Sequence, residues 1–177
     1  MITAVVPRPS DSHILDSGDR TEFATGAVRD MREGKGRCDL TPLMVSARVF
    51  CDPVLSPRDY DQNLNDIARF QSDGNTCYLY YVLRRFAIKH FDGYETMLLE
   101  VAKHFEEGAK KYGPDNWRKG IPAHCYIDSA VRHYLKWKRG DMDEPHERAF
   151  CWNLMCCIWE VDYGEEYRKS KEAENNV

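Results

Sequence analysis

Met97-Leu98-Leu99-Glu100-Val101-Ala102-Lys103-His104-Phe105-Glu106-Glu107-Gly108-Ala109-Lys110-Lys111-Tyr112, followed at once by Gly113-Pro114, is the stretch from which the fold of this chain is read. Met97, Leu98, Val101, Ala102, Phe105, Ala109 and Tyr112 recur at three- and four-residue spacing, which lays them along one side of an α-helix. Gly113-Pro114 stops that helix, because glycine accepts a left-handed cap and proline cannot continue the hydrogen-bond ladder. Upstream, Leu79, Val82, Leu83, Phe86 and Ile88 predict a helix over about 76–90, closed by an Asp92-Gly93 turn. Tyr60, Leu64, Ile67, Ala68 and Phe70 give a weaker pattern over 59–71, and Pro42 opens a short helix over 43–50 that ends near Pro53. Downstream, Pro122 opens a helix with Ile127, Ala130, Val131, Tyr134 and Leu135 on its apolar side and Gly140 as its stop. Asp143 or Glu144, ahead of Pro145, is placed to cap a last helix carrying Phe150, Cys151, Leu154, Met155, Ile158 and Trp159. Without a period-two run of strand length, the expected fold is all-α, a compact bundle of about five to six helices.

The remaining segments set the domain limits. With 177 residues and 42% hydrophobic content, the chain suits one domain with a real core. Residues 1–22 lack periodicity and read as an irregular arm, 23–163 as a single α-helical domain, and 164–177 as a polar tail. Thr25 to Leu40 reads as a glycine-rich basic loop, not a strand. Seven cysteines in an odd, scattered set without a C-x-x-C pair exclude a zinc knuckle or a disulfide framework, so reduced and mostly buried thiols are expected. A net charge of −4 argues against binding long nucleic acid, which rewards a basic excess. Neither a basic leader nor an apolar run of about 18 residues is present, so the expectation is a cytoplasmic protein without membrane contact. Trp152, Met155 and Trp159 beside Cys156 and Cys157 read as an apolar surface broader than one layer covers, which predicts a homo-oligomer.

Three groups of residues carry chemistry. In the turn from Lys111 to Gly120, Asn116 can read a base edge or ribose hydroxyl, Trp117 can stack, and Lys111 or Lys119 can meet phosphate. The competing reading makes Tyr112 and Trp117 core plugs under a helix end. In the glycine-rich block, Arg29, Arg32, Lys35 and Arg37 form a phosphate cradle of guanidinium forks and freed N–H groups. Its spacing is not that of a Walker loop, and its charges could equally pair with Asp30, Glu33 and Asp39 as a solvated loop. Third, Glu100, His104 and Glu107 share one side of the long helix, Asp128 and Arg132 share a face of the next with His133 beside them, and Asp141, Asp143, Glu144 and His146 crowd the start of the last, ahead of Asn153. Helices that donate such side chains to one interior bind divalent metal, although each residue taken singly reads as an ion pair, a cap or a hydrogen-bonded histidine. There is no G-x-S-x-G elbow, no H-E-x-x-H and no adjacent His-Asp pair.

Taken together, Thr25 to Asp30 with Gly34 to Leu40, Glu107 to Gly113, Asn116-Trp117, Gly120, Arg132-His133 and His146 resemble a phage-associated family named for the N-terminal domain of dATP/dGTP diphosphohydrolase. The resemblance runs from residue 22 to about 160, with an unmatched stretch near 50–92. It implies a purine nucleotide pocket, with Arg29, Lys35, Arg37, Lys111, Tyr112, Asn116, Trp117, Lys119 and Arg132 as the binding residues. In related all-α MazG-like pyrophosphohydrolases, Mg²⁺ or Mn²⁺ assists cleavage between the α and β phosphates. If hydrolysis occurs here, Glu107 and His133 are the catalytic candidates, and the metal is held by a set of the chain's own, Glu107, Asp143 and His146 with His133. The chain departs from the MazG-like pattern of E-x-x-E followed by E-x-x-D: Glu144-Pro145-His146-Glu147 has the first spacing, but Glu160-Val161-Asp162 misses the second by one residue. Two functions from different classes therefore stand side by side. One is a pyrophosphohydrolase of dATP and dGTP; the other is a non-catalytic sponge for a nucleotide-derived immune signal, of cyclic dinucleotide or cyclic ADP-ribose type, in the host cytoplasm. A purely structural or regulatory helical protein is a third reading.

Overall fold

Caps and turns place the helices. The computed structural model describes residues 18–30, 38 and 61–175. Two short strands, β1 (Arg20–Glu22) and β2 (Val28–Asp30), pair antiparallel, with Thr21 opposite Arg29. The helices follow: α1 (Gln62–Asp73), α2 (Cys77–His90), α3 (Tyr94–Tyr112), α4 (Ala123–Arg139), α5 (His146–Trp159) and α6 (Glu165–Asn175). A 3₁₀ turn over Asn116–Arg118 joins α3 to α4, and a π turn over Glu160–Gly164 joins α5 to α6. The architecture is all-α apart from the ribbon.

Local chemistry accounts for most boundaries. The Asp61 carboxylate accepts from the Asn63 and Leu64 N–H groups and caps α1, whose end Gly74 closes in the left-handed region at φ 74°. Gly140, at φ 87°, ends α4 and donates to the carbonyls of Lys136 and Trp137. The start of α5 differs from the expected cap. Pro145 occupies the cap position and no side chain bonds the freed N–H groups, because the Asp143 carboxylate is held instead by Lys136 and His146.

Helix α5 is buried nearly all round, from His146 through Phe150, Leu154 and Ile158, so it is the axis of the bundle. It packs most extensively on α4, then on α3 and α2, while α1 leans on α2. Phe86 of α2 meets Phe150 of α5 with ring centroids 4.9 Å apart and Trp137 of α4 at 5.0 Å, both edge-on as ring quadrupoles favour. Cys125, Cys151, Cys156 and Cys157 are buried in the core, as expected. Burial holds the Cys151 and Cys156 thiols well above the ordinary range and Cys157 at about 12, so they stay protonated hydrophobes.

Several expectations are corrected. Part of the block read as a loop, Val28–Asp30, is a strand, and so is Arg20–Glu22 of the arm. Gly26, at φ 75°, turns the chain, and the Asn116 amide clamps both backbone groups of Val28, so tertiary contact replaces a strand pattern. Ile88 and Leu98, assigned to apolar faces, are exposed. Of the surface that argued for an oligomer, Trp152, Met155 and Trp159 are half-buried by the chain itself. Trp152 packs against His104 and Phe105, Trp159 packs against Trp117 and Tyr167, and Cys156 and Cys157 are buried. The polar tail is helical in α6, anchored where Arg168 meets Glu160 at 2.7 Å. The short helix expected over 43–50 lies outside the described residues, as do Lys35 and Arg37.

Candidate functional site

A cavity of about 440 Å³ opens between the ribbon, the C-terminal half of α3, the 3₁₀ turn, α4 and α5. Its size falls in the range of small-molecule sites. The ribbon forms one wall because Asn116 fastens it there: Val28 N donates to Asn116 Oδ1 at 2.8 Å, and Asn116 Nδ2 donates to Val28 O at 2.7 Å. Asn116 thus lines the cavity, yet its amide is committed to backbone.

Fastening the ribbon brings Arg29 inward. Its Nη2 donates to Asn153 Oδ1 at 2.7 Å, and its guanidinium lies over the Tyr126 ring at 5.2 Å. Asn153 is oriented in turn by donating to Ala149 O. Asp30, the next residue, accepts from the Tyr112 hydroxyl at 2.6 Å and pairs with Lys111 and Arg20. Tyr112 is pushed above its ordinary pKa, first by burial and then by that carboxylate. Lys111 and Tyr112 are therefore fasteners of the ribbon, although Tyr112 also lines the cavity.

Deeper in, polar atoms lack partners. Arg29 Nη1, Trp152 Nε1 and His104 Nδ1 are buried without a hydrogen bond among the described residues, and all three side chains line the cavity. His104, 6% exposed, is lowered to about 3, chiefly by burial and then by Arg148 and Arg29; it is neutral near pH 7. Arg132, on α4, also lines the cavity and pairs with the buried Asp128, which in addition accepts from Cys38 N at 2.6 Å.

At the α4–α5 end stands a second polar group. His133 Nδ1 and His146 Nδ1 are 3.1 Å apart, and Glu144 Oε1 is 3.4 Å from the first and 3.6 Å from the second. On its far side His146 Nε2 meets Asp143 Oδ1 at 2.8 Å, and Lys136 Nζ meets the other Asp143 oxygen at 2.8 Å. Burial would raise the Asp143 carboxyl, but the bonds from Lys136 and His146 outweigh it and lower it to about 2. His133 is held well below its ordinary pKa, mostly by burial and then by His146.

Residues 93–170 match the family model for dATP/dGTP diphosphohydrolase, N-terminal. No curated protein and no solved structure gives a match. The matched segment runs from the start of α3 into α6 and contains Lys111, Tyr112, Asn116, Trp117, Arg132, His133 and His146. It leaves out the glycine-rich block, on which part of the resemblance was drawn.

Several assigned residues are not where the sequence reading put them. Glu107 does not reach His133 or His146; it accepts from Arg148 Nη2 at 2.8 and 2.9 Å and does not line the cavity. The expected metal set of Glu107, Asp143 and His146 is therefore not assembled, because a buried arginine needs a counterion and Glu107 is the nearer of the two carboxylates that face it, Glu100 lying at 4.0 Å. Among the described residues the groups with metal-ligand spacing are His133, Glu144 and His146, and Asp141, Asp143 and His146. Lys119 is exposed, its Nζ 3.5 Å from Gly26 O, outside the cavity lining. Trp117 lines the cavity but is packed between Phe105 and Trp159 with Arg118 over its ring at 4.7 Å. Trp152 and Glu144 are among the cavity residues that the sequence reading did not assign to the site. The E-x-x-E spacing had marked Glu144; nothing marks Trp152, since a helix apolar all round does not reveal which side faces a hollow.

Proposed function

We propose that this cavity binds a purine deoxynucleoside triphosphate and that the chain hydrolyses it to the monophosphate and pyrophosphate. The observation that carries the reading is the set of unpartnered buried N–H groups on Arg29 and Trp152, with the unpartnered ring nitrogen of His104, around one hollow. Buried polar atoms without partners are costly, and a ligand rich in acceptor oxygens relieves that cost. Arg29 and Arg132 supply guanidinium groups for phosphate oxygens, and the aromatic wall suits a base. The family match over 93–170 supports the same substrate class.

In the reaction a water oxygen attacks the α phosphorus, the bond to the bridging oxygen of the β phosphate breaks, and pyrophosphate departs. His133 and Glu144 line the cavity and form its part suited to act on water, while the arginines hold the charge that builds on the phosphates. Mg²⁺ asks for oxygen ligands. Of the cavity carboxylates, Asp30 and Asp128 are paired with Lys111 and Arg132 and Glu144 stands against two imidazoles, so the described residues do not form an all-oxygen Mg²⁺ set. Mn²⁺, which tolerates imidazole, suits the donors better.

The same pairing of the cavity carboxylates favours a second reading, sequestration of a nucleotide-derived signal without turnover. One experiment separates the two. The purified chain is incubated with each deoxynucleoside triphosphate and Mn²⁺ or Mg²⁺, then heated, and the nucleotides are resolved by chromatography. Monophosphate and pyrophosphate in equal amounts are expected; intact nucleotide released from a stable complex would establish the sponge, and neither products nor retained nucleotide would exclude both for these triphosphates.

A further inference from the structure

We propose that His133, Glu144 and His146 form a binding site for one borderline first-row transition cation of the Zn²⁺ or Co²⁺ class. The three donor atoms make a nearly equilateral triangle with edges of 3.1, 3.4 and 3.6 Å. Ligands about 2.0–2.1 Å from a tetrahedral ion are roughly 3.3 Å from one another, so a cation slightly above this triangle reaches all three with little movement.

The surroundings point the same way. A metal-binding histidine normally donates its other ring N–H to a carboxylate, which fixes the tautomer and turns the lone pair toward the ion. His146 does this, with Nε2 on Asp143 at 2.8 Å, and Asp143 is itself anchored by Lys136. That tautomer makes His146 Nδ1 an acceptor aimed at His133 Nδ1. One proton between the two imidazoles, or one cation against both and the carboxylate, satisfies the arrangement. Two imidazoles and one carboxylate suit borderline ions and disfavour Mg²⁺, which keeps to oxygen. His133 and Glu144 also line the cavity, which leaves coordination positions toward it. That is the open geometry of sites where an ion meets water or an oxygen ligand. The backbone holds the donors rigidly: His133 sits within α4, and Glu144 and His146 flank the proline that starts α5.

This site rests on the donor geometry alone and is filled with or without nucleotide. It differs from the expected metal set of Glu107, Asp143 and His146 in using His133 and Glu144 in place of Glu107 and Asp143.

The test uses the full chain stripped of metal with a chelator. Co²⁺ is titrated in and followed by visible d–d absorption, with Zn²⁺ as competitor. One equivalent is expected to bind, with visible bands and no thiolate charge-transfer band in the near ultraviolet. His133→Gln and Glu144→Gln should each weaken binding at least tenfold, while keeping the circular dichroism of the parent. Asp143→Ala, which removes the carboxylate that orients His146 and pairs with Lys136, should weaken it by about 10- to 100-fold. Asp141→Asn should leave it unchanged. The proposal is overturned by no Co²⁺ binding to the parent chain, by a thiolate band, or by loss of binding in Asp141→Asn but not in Glu144→Gln, which would move the ion to the Asp141–Asp143–His146 group. Nucleotide retention is measured on the same samples: retention without Co²⁺ binding sinks this site and spares the nucleotide reading, and the converse does the reverse.

Discussion

The two ends of the cavity are built by opposite means. At the α4–α5 end, His133, Glu144 and His146 lie within one helical hairpin, 13 residues apart at most in the His133–His146 contact. At the ribbon end, Arg29 reaches Asn153 across 124 positions and Val28 reaches Asn116 across 88. Contacts closed over short loops cost little chain entropy, whereas distant ones must be held by other contacts. One end should therefore be robust and the other detachable, and each can be broken separately.

The largest effect should come from Arg29→Ala. It removes the guanidinium that faces both Asn153 and the cavity, and a charge-assisted contact of this kind is worth about 1.5–3 kcal/mol. Nucleotide affinity should fall by roughly 10- to 100-fold in calorimetry, with the His133 end unaltered; an unchanged affinity would remove Arg29 from the site.

Next comes Asn116→Ala, which unfastens β2 without touching any cavity cation. Loss of two buried hydrogen bonds should cost about 2 kcal/mol. The region around residues 18–30 should become accessible to protease while Co²⁺ binding persists. If both ends fail together, the comparison is wrong and the site is one cooperative unit.

Glu107→Gln sharpens the comparison in a third way. As the counterion of Arg148, which is 5% exposed, Glu107 should contribute about 1–2 kcal/mol to stability once its own partial exposure is allowed for. A lowered melting temperature with turnover intact per folded molecule is expected. Abolished turnover at unchanged stability would return Glu107 to a catalytic role.

The smallest expected effect is a pH dependence centred on His104, which faces Arg148 of α5, Arg29 of β2 and the Trp152 ring. Its folded pKa lies near 3 and the ordinary value is 6.5. Below 6.5 the unfolded chain takes up a proton that the folded chain refuses. Its contribution is thus complete above that pH and declines as pH falls toward 3. By pH 5.5 the loss should reach about 1 kcal/mol. Denaturant midpoints of the parent and His104→Gln, compared between pH 7 and 5, should converge toward the acid side; parallel curves would place no unprotonated histidine there.

What was legible follows this division. The helix through Met97 to Tyr112 with its Gly113-Pro114 stop, and the Pro122 and Gly140 boundaries, stand as read, although Leu98 and Ala102 of that helix's apolar side are exposed. The Lys111–Gly120 turn and the Arg132-His133 pair were recognised as cavity residues, and Tyr112, Asn116, Trp117, Arg132 and His133 do line it. Yet Asn116 and Lys111 serve to dock the ribbon. Ligand and fastener ask for the same polar side chain, and only the partner tells them apart.

Helix limits, the all-α class and the grouping of cations near one turn were determined by the amino-acid sequence alone, since propensity, capping and periodicity act over a few residues. The tertiary structure alone decided that Glu107 answers Arg148 while Glu144 meets His133 and His146. It also decided that Trp152 faces a hollow and that Val28–Asp30 is a strand. Those outcomes depend on which surfaces meet across the bundle, and a central helix apolar on every side carries no local record of its neighbours.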